Sequence, residues 1–253
     1  MPSALTSTST AVYPGWMLDV LDEVPSTNPL AGRLPAWRAI RANTQTAGRG
    51  RTGRHWVSDE GGLWLSAVLP CPGPRSQWTI LPLAAGHAVL TALGELGVSH
   101  LRLRWPNDIM VGPRKLAGLL VERFTDDTAV VGLGLNIFNR PEIADSTLTT
   151  PTARLADLAP GDYTIDDIAG HILRALAQTH TRILAEGFGP VADLLNRAWS
   201  EPRLVAVTLQ NGRPPFTGHF QGIDDRGRLR VSTDTAGVRV YDATEVALLR
   251  ELE

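Results

Sequence analysis

Between residues 17 and 137 the chain carries six segments with strand character, and only one long helical pattern interrupts them. Strands are expected over 17–24, 37–43, 62–69, 101–105, 117–124 and 129–137. The clearest is Leu-Arg-Leu-Arg-Trp at 101–105, which alternates with the period of a half-buried strand. The interrupting helix spans 77–96, with Ile80, Leu83, Ala84, His87, Ala88, Leu90 and Leu93 at helical spacing. A second long helix is expected over 164–186, where Thr164 and Asp167 read as a capping box, with a shorter one over 191–199. The PSTNP stretch also starts a helix, because Pro29 is allowed in a first turn, but Gly32 and Pro35 keep it short. Strands must pair and helices must cover them, so the expected class is α+β, a mixed β-sheet flanked by helices.

After Pro202 the texture changes to short strands at 204–209, 216–223, 228–233 and 238–241. Turn signals at Asn211–Gly212, Asp225–Gly227 and Ala236–Gly237 separate them. The expected organisation is therefore a disordered segment over 1–16, a main domain over 17–200 and a small all-β module over 201–253. A module of that size is marginal on its own.

The formal net charge of −2 gives no global basic field to attract nucleic acid, so a positive site must be local. Cys71 is the sole cysteine, which excludes an internal disulfide, and the six histidines include no HxH or HxxxH pair. No metal site built from protein ligands alone is expected. The start of the chain lacks the basic-then-apolar pattern of a signal peptide, and no run approaches about 18 apolar residues, so the expected location is cytoplasmic.

Of the 24 Lys+Arg residues, Lys115 is the only lysine. Pressure toward arginine explains the others and leaves the exception conspicuous, because a compact ammonium on a flexible stem is a different reagent from a guanidinium. Four polar clusters fall at strand ends or in loops, where a sheet presents them to one cavity. They are Ser26–Thr27–Asn28, Gln45 with the segment from Gly48 to Arg54, Trp105–Pro106–Asn107–Asp108, and Arg114–Lys115–Leu116–Ala117–Gly118. In GRGRTGR the glycines admit close approach to backbone N–H groups and the arginines form fork-like pairs with carboxylate or phosphate. Taken alone it is a small-anion loop, a nucleic-acid contact or a solvated turn. WPND is either a plain turn or a source of Asp108 for Mg²⁺.

Together, STN, GRGRTGRHW, WPNDIMVGPRKLAGLLVE and VGLGLNI, in this order, resemble the biotin protein ligases, enzymes that attach biotin to a lysine of biotin-dependent carboxylases. The resemblance implies the class II synthetase-like biotin–lipoate ligase fold, with residues 201–253 as an SH3-like β-barrel. It further implies that ATP and biotin give biotinyl-AMP, and that biotin then passes to a carrier domain of a carboxylase such as acetyl-CoA carboxylase. Carried over by position, Lys115, Arg49 and Asp108 are catalytic. Ser26, Thr27, Asn28 and Gln45 line the ureido end of biotin, and Gly48, Arg49, Gly50, Arg51 and Lys115 lie along the rest of it. Arg51, Arg54, Asn107, Asp108, Lys115 and Asn136 face ATP or the adenylate, with Mg²⁺ accompanying ATP near Asp108. Trp56, Trp64 and Trp105 are either core or pocket wall, or stack directly on a ligand.

The chain departs from the pattern in a short stretch between STN and the Gly/Arg segment, and in Pro29 directly after STN. The first strand lies close to the start, leaving no room for the DNA-binding helix-turn-helix of some family members. A monofunctional enzyme, a monomer or weak homodimer with no nucleic-acid or membrane partner, is the expectation. Rivals are a lipoate ligase, a nucleic-acid-binding module using the Gly/Arg segment, and a catalytically dead binding protein.

Overall fold

The N-terminal sheet begins with a hairpin in which β1 (Ser9–Tyr13) pairs antiparallel with β2 (Trp16–Val24). The structure is a computed structural model that describes residues 9–145, 150–159, 161–199, 203–210, 212–233 and 237–252. The short helix α1 (Thr27–Ala31) then returns the chain to β3 (Arg38–Gln45), which lies parallel to β2. β4 (Gly62–Pro70) runs antiparallel to β3, and α2 (Leu81–Glu95) follows. Next comes an antiparallel meander of β5 (Leu101–Arg104), β6 (Asp108–Val111), β7 (Arg114–Glu122) and β8 (Thr128–Asn136). β8 closes onto β4, giving the order β1-β2-β3-β4-β8-β7-β6-β5. The parallel β2–β3 pair makes the sheet mixed, as expected. The short helix α3 (Pro141–Ala144) and the 22-residue α4 (Ile165–Glu186) come after it.

The pleat sorts the side chains into two faces. α2 packs on one, where a methyl added to Gly86 would lie 2.7 Å from Leu103. α4 is tied to the sheet by Arg41 Nε, 2.5 Å from Asp166 Oδ1, and by His180 Nε2, 2.7 Å from the Pro70 carbonyl. His180 is buried, stacked on Trp78 and edge-on to Trp37. The expected capping box closes α4, with Thr164 N–H donating to Asp167 Oδ2 (2.8 Å) and Asp167 N–H donating to Thr164 Oγ1 (3.1 Å). On the other face α1 covers only one end of the sheet, packing Ala31, Leu30 and Leu34 against Leu21, Val24, Ile40, Ala42, Val68 and Val130. The rest of that face lies over Trp64 and Ser66 of β4, Gly134 and Gly132 of β8, and Gly118 and Leu120 of β7.

The chain divides into two units, Met1–Thr181 and Arg182–Glu253. In the second, α5 (Gly189–Ala198) precedes β9 (Arg203–Leu209), β10 (Phe216–Ile223), β11 (Leu229–Thr233), β12 (Gly237–Tyr241) and β13 (Val246–Glu251). These strands form an antiparallel sheet in the order β12-β11-β10-β9-β13, and the described pairings do not join β12 to β13. Asn196 of α5 makes two hydrogen bonds to the Ile223 backbone and Trp199 meets Phe220 edge-on, so α5 belongs with this sheet. The unit boundary accordingly falls before the expected one at residue 200.

Three local expectations need correction. Residues 9–13, inside the segment expected to be disordered, form β1, held by its five-residue register with β2; residues 1–8 lie outside the described residues, as do Asn211 and Ala236 of two expected turns. WPND does not simply end a strand: the chain turns through a cis Trp105–Pro106 bond, and Asp108 starts β6. The last strand, β13, was not expected at all.

Candidate active site

The glycines of β7 and β8 build the floor of the uncovered face. A methyl at Gly132 would overlap the Asn28 carboxamide, and one at Gly134 would overlap the Trp56 indole. At Gly118 it would lie 2.9 Å from the Trp56 ring and 3.3 Å from Lys115 Cε. Glycine inside a strand weakens the strand unless something must come close. Here Asn28, Trp56 and Lys115 come close.

At one end of this floor the STN triplet forms a buried polar chain. Ser26, Thr27 and Asn28 sit at the start of α1, and all three are buried. Gln45 Oε1 accepts from Thr27 N–H at 2.9 Å and faces Thr27 Oγ1 at 3.2 Å. Its Nε2 donates to Ser58 Oγ at 2.8 Å. The hydroxyl of Ser66, a lone polar side chain in the otherwise apolar β4 interior, lies 2.7 Å from Thr27 Oγ1 and 2.6 Å from Asn28 Oδ1. Asn28 Nδ2 donates to Leu120 O (3.1 Å) and to Glu122 Oε2 (2.8 Å).

The Gly/Arg segment is a small hairpin rather than a free loop. Trp56 N–H donates to Gly48 O (3.0 Å), Arg49 bridges to His55, and Gly50 N–H donates to Arg54 O (2.7 Å). The tip turns through Thr52 and Gly53, both at positive φ. Gly48 must be glycine, since a methyl there would overlap the Trp56 carbonyl. Two arginines reach inward from this hairpin. Arg49 Nη2 pairs with Glu122 Oε2 at 2.9 Å, and Arg51 Nη1 faces Asn107 Oδ1 at 3.4 Å. Arg54 is exposed, and its carbonyl closes the hairpin.

At the other end the charges gather around one carboxylate. Asp108 Oδ1 lies 2.7 Å from Lys115 Nζ, and Asp108 Oδ2 lies 2.7 Å from Arg104 Nη2. Lys115 reaches Asp108 because of a bulge. Met110 pairs with Lys115 while Ile109 pairs with Ala117, so Leu116 is extra. Side chains alternate faces along a strand, and one inserted residue reverses that alternation. The bulge turns Leu116 into the core and puts Lys115 on the face of Asp108 and Gly118. Residues 151–153 hold the Lys115 backbone from the far side, through Lys115 N–H to Pro151 O (2.7 Å) and Ala153 N–H to Lys115 O (2.9 Å). Lys115 Nζ also stands 4.8 Å from the centre of the Trp56 ring, linking the charge cluster to the hairpin.

Burial pushes the Asp108 carboxyl up, but Lys115 and Arg104 overcome it and hold the group below the usual carboxylate range. Burial pulls the Arg51 guanidinium below its ordinary value, with Asp108 opposing and Arg54 adding repulsion. The cluster is thus two cations paired to one carboxylate with a third, Arg51, within reach of its charge, an arrangement suited to anions.

Most of the expected site residues fall into these two linked groups. Gln45, Thr27, Asn28 and Arg49 join through Ser66 and Glu122; Arg51, Asn107, Asp108 and Lys115 join directly or through Trp56. Ser26 lies beside the first as the N-cap of α1, although its side chain makes no capping hydrogen bond. Asn136 is buried at the end of β8, and its carboxamide oxygen accepts from Asn139. Trp64 and Trp105 are buried, as expected of core or wall. Four polar residues escaped the sequence reading: Ser58, Ser66, Arg104 and Glu122. Glycines spaced two apart in VGLGL mark a close approach, and the Arg104 side of LRLRWPND faces Asp108 across a turn; both were available as signals. Among the described residues no three of His, Cys, Asp and Glu cluster as metal ligands, and no helix is long and apolar enough to cross a membrane.

Residues 31–136 match the Biotin/lipoate A/B protein ligase family, and residues 205–249 match the Biotin protein ligase C terminal domain. The chain is 34% identical over 248 residues to the biotin--[acetyl-CoA-carboxylase] ligase of Mycobacterium tuberculosis, covering 93% of this chain and 91% of that protein. It is 30% identical to the enzyme of the same name from Paracoccus denitrificans, covering 90% and 98%. The biotin protein ligase of Aquifex aeolicus, solved in complex with biotin and ATP, superposes with a TM-score of 0.79 at 26% identity, over 93% of this chain and 99% of that one. The chain belongs to the biotin protein ligase family.

Proposed function

We infer that this protein activates biotin with ATP and transfers it to a lysine of a biotin carrier domain of a carboxylase. The observation that carries the reading is the cation cluster of Arg104, Lys115 and Arg51 about Asp108, joined through Trp56 to the Gly/Arg hairpin. In the first step a biotin carboxylate oxygen bonds to the α-phosphorus of ATP, the bond to the β-phosphate bridge breaks and pyrophosphate leaves. Two anions must meet, so positive charge fixed in advance between them lowers the barrier. Lys115, on a flexible stem with three donors, is the group to touch both anions. Asp108 holds the ammonium in place, and Arg104 offsets the charge that Asp108 brings. Arg49 and Arg51 lie along the biotin tail and the phosphate, Asn107 and Arg54 face the nucleotide, and the Ser26, Thr27, Asn28 and Gln45 chain receives the ureido end. Asn136 lies toward adenine or ribose. In the second step the acceptor lysine amine attacks the acyl carbon, the bond to AMP breaks, and AMP leaves as the amine loses a proton.

Asp108 is one carboxylate beside the position of the phosphates, a donor set that suits Mg²⁺ arriving with ATP rather than a cage made of protein. When bound, Mg²⁺ neutralises phosphate charge.

Incubation with labelled biotin, MgATP and a carrier domain tests the reading. Label on the carrier is expected, and none would overturn it. Lipoate in place of biotin should give no transfer. Nucleic-acid binding by the hairpin is disfavoured, because Arg49 and Arg51 are directed to Glu122 and Asn107. Steeply salt-dependent retention on DNA or RNA at physiological ionic strength would favour that reading instead.

A further inference from the structure

Glu122 presents a puzzle for a site that binds two anions. It is the last residue of β7, on the same face as Gly118 and Leu120, and its side chain is 28% exposed. A negative charge there repels both substrates, so it needs a compensating role. Its geometry supplies one: a single oxygen, Oε2, accepts from Asn28 Nδ2 at 2.8 Å and from Arg49 Nη2 at 2.9 Å. Asn28 belongs to the STN chain and Arg49 to the Gly/Arg hairpin, segments 21 residues apart in sequence. Glu122 is the side chain that joins them.

We propose that Glu122 is a positioning residue that orients the Asn28 carboxamide and latches the Gly/Arg hairpin over the floor of the site; the biotin-binding part of this rests on the function proposed above. An ionised carboxylate only accepts hydrogen bonds, so it fixes the Nδ2 end of Asn28 toward itself and Leu120 O. The Oδ1 end is thereby left facing Ser66. Without Glu122 the carboxamide loses one of the two acceptors that distinguish its ends. The same oxygen balances Arg49 while no ligand anion is present and keeps the hairpin from opening. The pair is partly exposed, so the latch is weak enough for Arg49 to be released to a ligand.

Two variants separate the two roles. Glu122→Gln keeps an oxygen for Asn28 but loses the charge that holds Arg49. Its KM for biotin should rise less than that of Glu122→Ala, while trypsin should cut the ligand-free hairpin at Arg49, Arg51 or Arg54 roughly two- to fivefold faster. Glu122→Ala loses both contacts. Beyond the faster cleavage, its KM for biotin should rise roughly ten- to hundredfold, the range for losing a hydrogen bond to a charged group, with kcat for carrier biotinylation changing less. A purely structural role would lower the melting temperature without this split between KM and kcat. Parent-like cleavage of both variants overturns the latch, and a parent-like KM in Glu122→Ala overturns the orienting role. If Glu122→Ala does not fold, Glu122→Gln still decides the latch. Cleavage is read without substrates, so it stands even if the parent enzyme transfers no biotin, the result that would instead sink the functional reading.

Discussion

Replacing Lys115 by arginine keeps the charge and changes only its shape, which makes it the most informative change to the site. The Lys115 ammonium lies 2.7 Å from Asp108 Oδ1, while Arg104 holds Oδ2 at the same distance. A guanidinium in its place has a planar fork that matches a carboxylate in two-point fashion. It would therefore bind Asp108 more completely than lysine does and be less free to follow the moving charge. It is also larger, in a space bounded by the Trp56 ring and by Gly118, whose missing side chain makes room for Lys115 Cε. Folding should survive, because Asp108 keeps Arg104 and gains a guanidinium in place of the ammonium, and the cost to stability is that of overpacking against Trp56 and Gly118, about 1–3 kcal/mol. Catalysis should not survive to the same degree. Removing one donor aimed at a developing charge costs on the order of 10²–10³ in rate, about 2.7–4 kcal/mol, and the arginine variant should approach that range. Biotin-dependent exchange of labelled pyrophosphate into ATP measures the adenylation step alone, and a melting curve on the same sample reports the fold. A variant that melts like the parent yet exchanges pyrophosphate at the parental rate would refute the assignment of Lys115 as the cation between the two substrates.

Other outcomes follow from the floor and the core. Gly134→Ala should displace the Trp56 indole, costing about 1–3 kcal/mol by overpacking, and should slow adenylation because Trp56 stands against Lys115; unchanged melting and unchanged exchange would show that the indole yields freely. Ser66→Ala should cost about 1–3 kcal/mol, since it takes the hydroxyl away from buried Asn28 Oδ1 and leaves Thr27 Oγ1 with Gln45 alone, and should raise the KM for biotin; chemical denaturation and steady-state kinetics check each half. For pH, burial holds the His180 imidazole below its ordinary value, against the pull of the Pro70 carbonyl. The unfolded chain therefore takes up a proton near pH 6.5 that the fold refuses. This group's stabilising contribution is complete above that pH and is lost on acidification, at no more than about 1.4 kcal/mol per pH unit, until the folded-state value is passed. Denaturant unfolding at several pH values between 7 and 5 should show a shallower fall for His180→Gln than for the parent; equal slopes would count against it.

The sequence made most of the strands, both long helices and most of the site's polar residues legible for a physical reason. Hydrophobic period and turn chemistry are local, and they place 18 of β2 or 133 of β8 without knowledge of any partner strand. Pairings are not local, and what depended on pairing was missed. β1 has no apolar alternation of its own and exists because Val12 and Tyr13 find Met17 and Trp16 across a tight turn. Arg104 and Glu122 looked like ordinary strand charges until the meander set one against Asp108 and folding set the other beside Asn28 and Arg49. Lys115 makes the point most sharply. Its singularity among 24 basic residues flagged it, yet strict alternation from Gly118 would have placed it on the α2 face, away from Asp108. One extra residue, Leu116, reverses the alternation, and no composition or motif reports a bulge. Deleting Leu116 removes the bulge but leaves Lys115 two positions from Gly118, so ordinary alternation keeps the lysine on the face of Asp108 while the core loses a buried leucine. The deletion should therefore lower stability by about 2–5 kcal/mol, the cost of a large core side chain, yet leave pyrophosphate exchange measurable in the folded fraction; loss of all exchange from folded protein would refute the claim that the bulge acts by setting the face of Lys115.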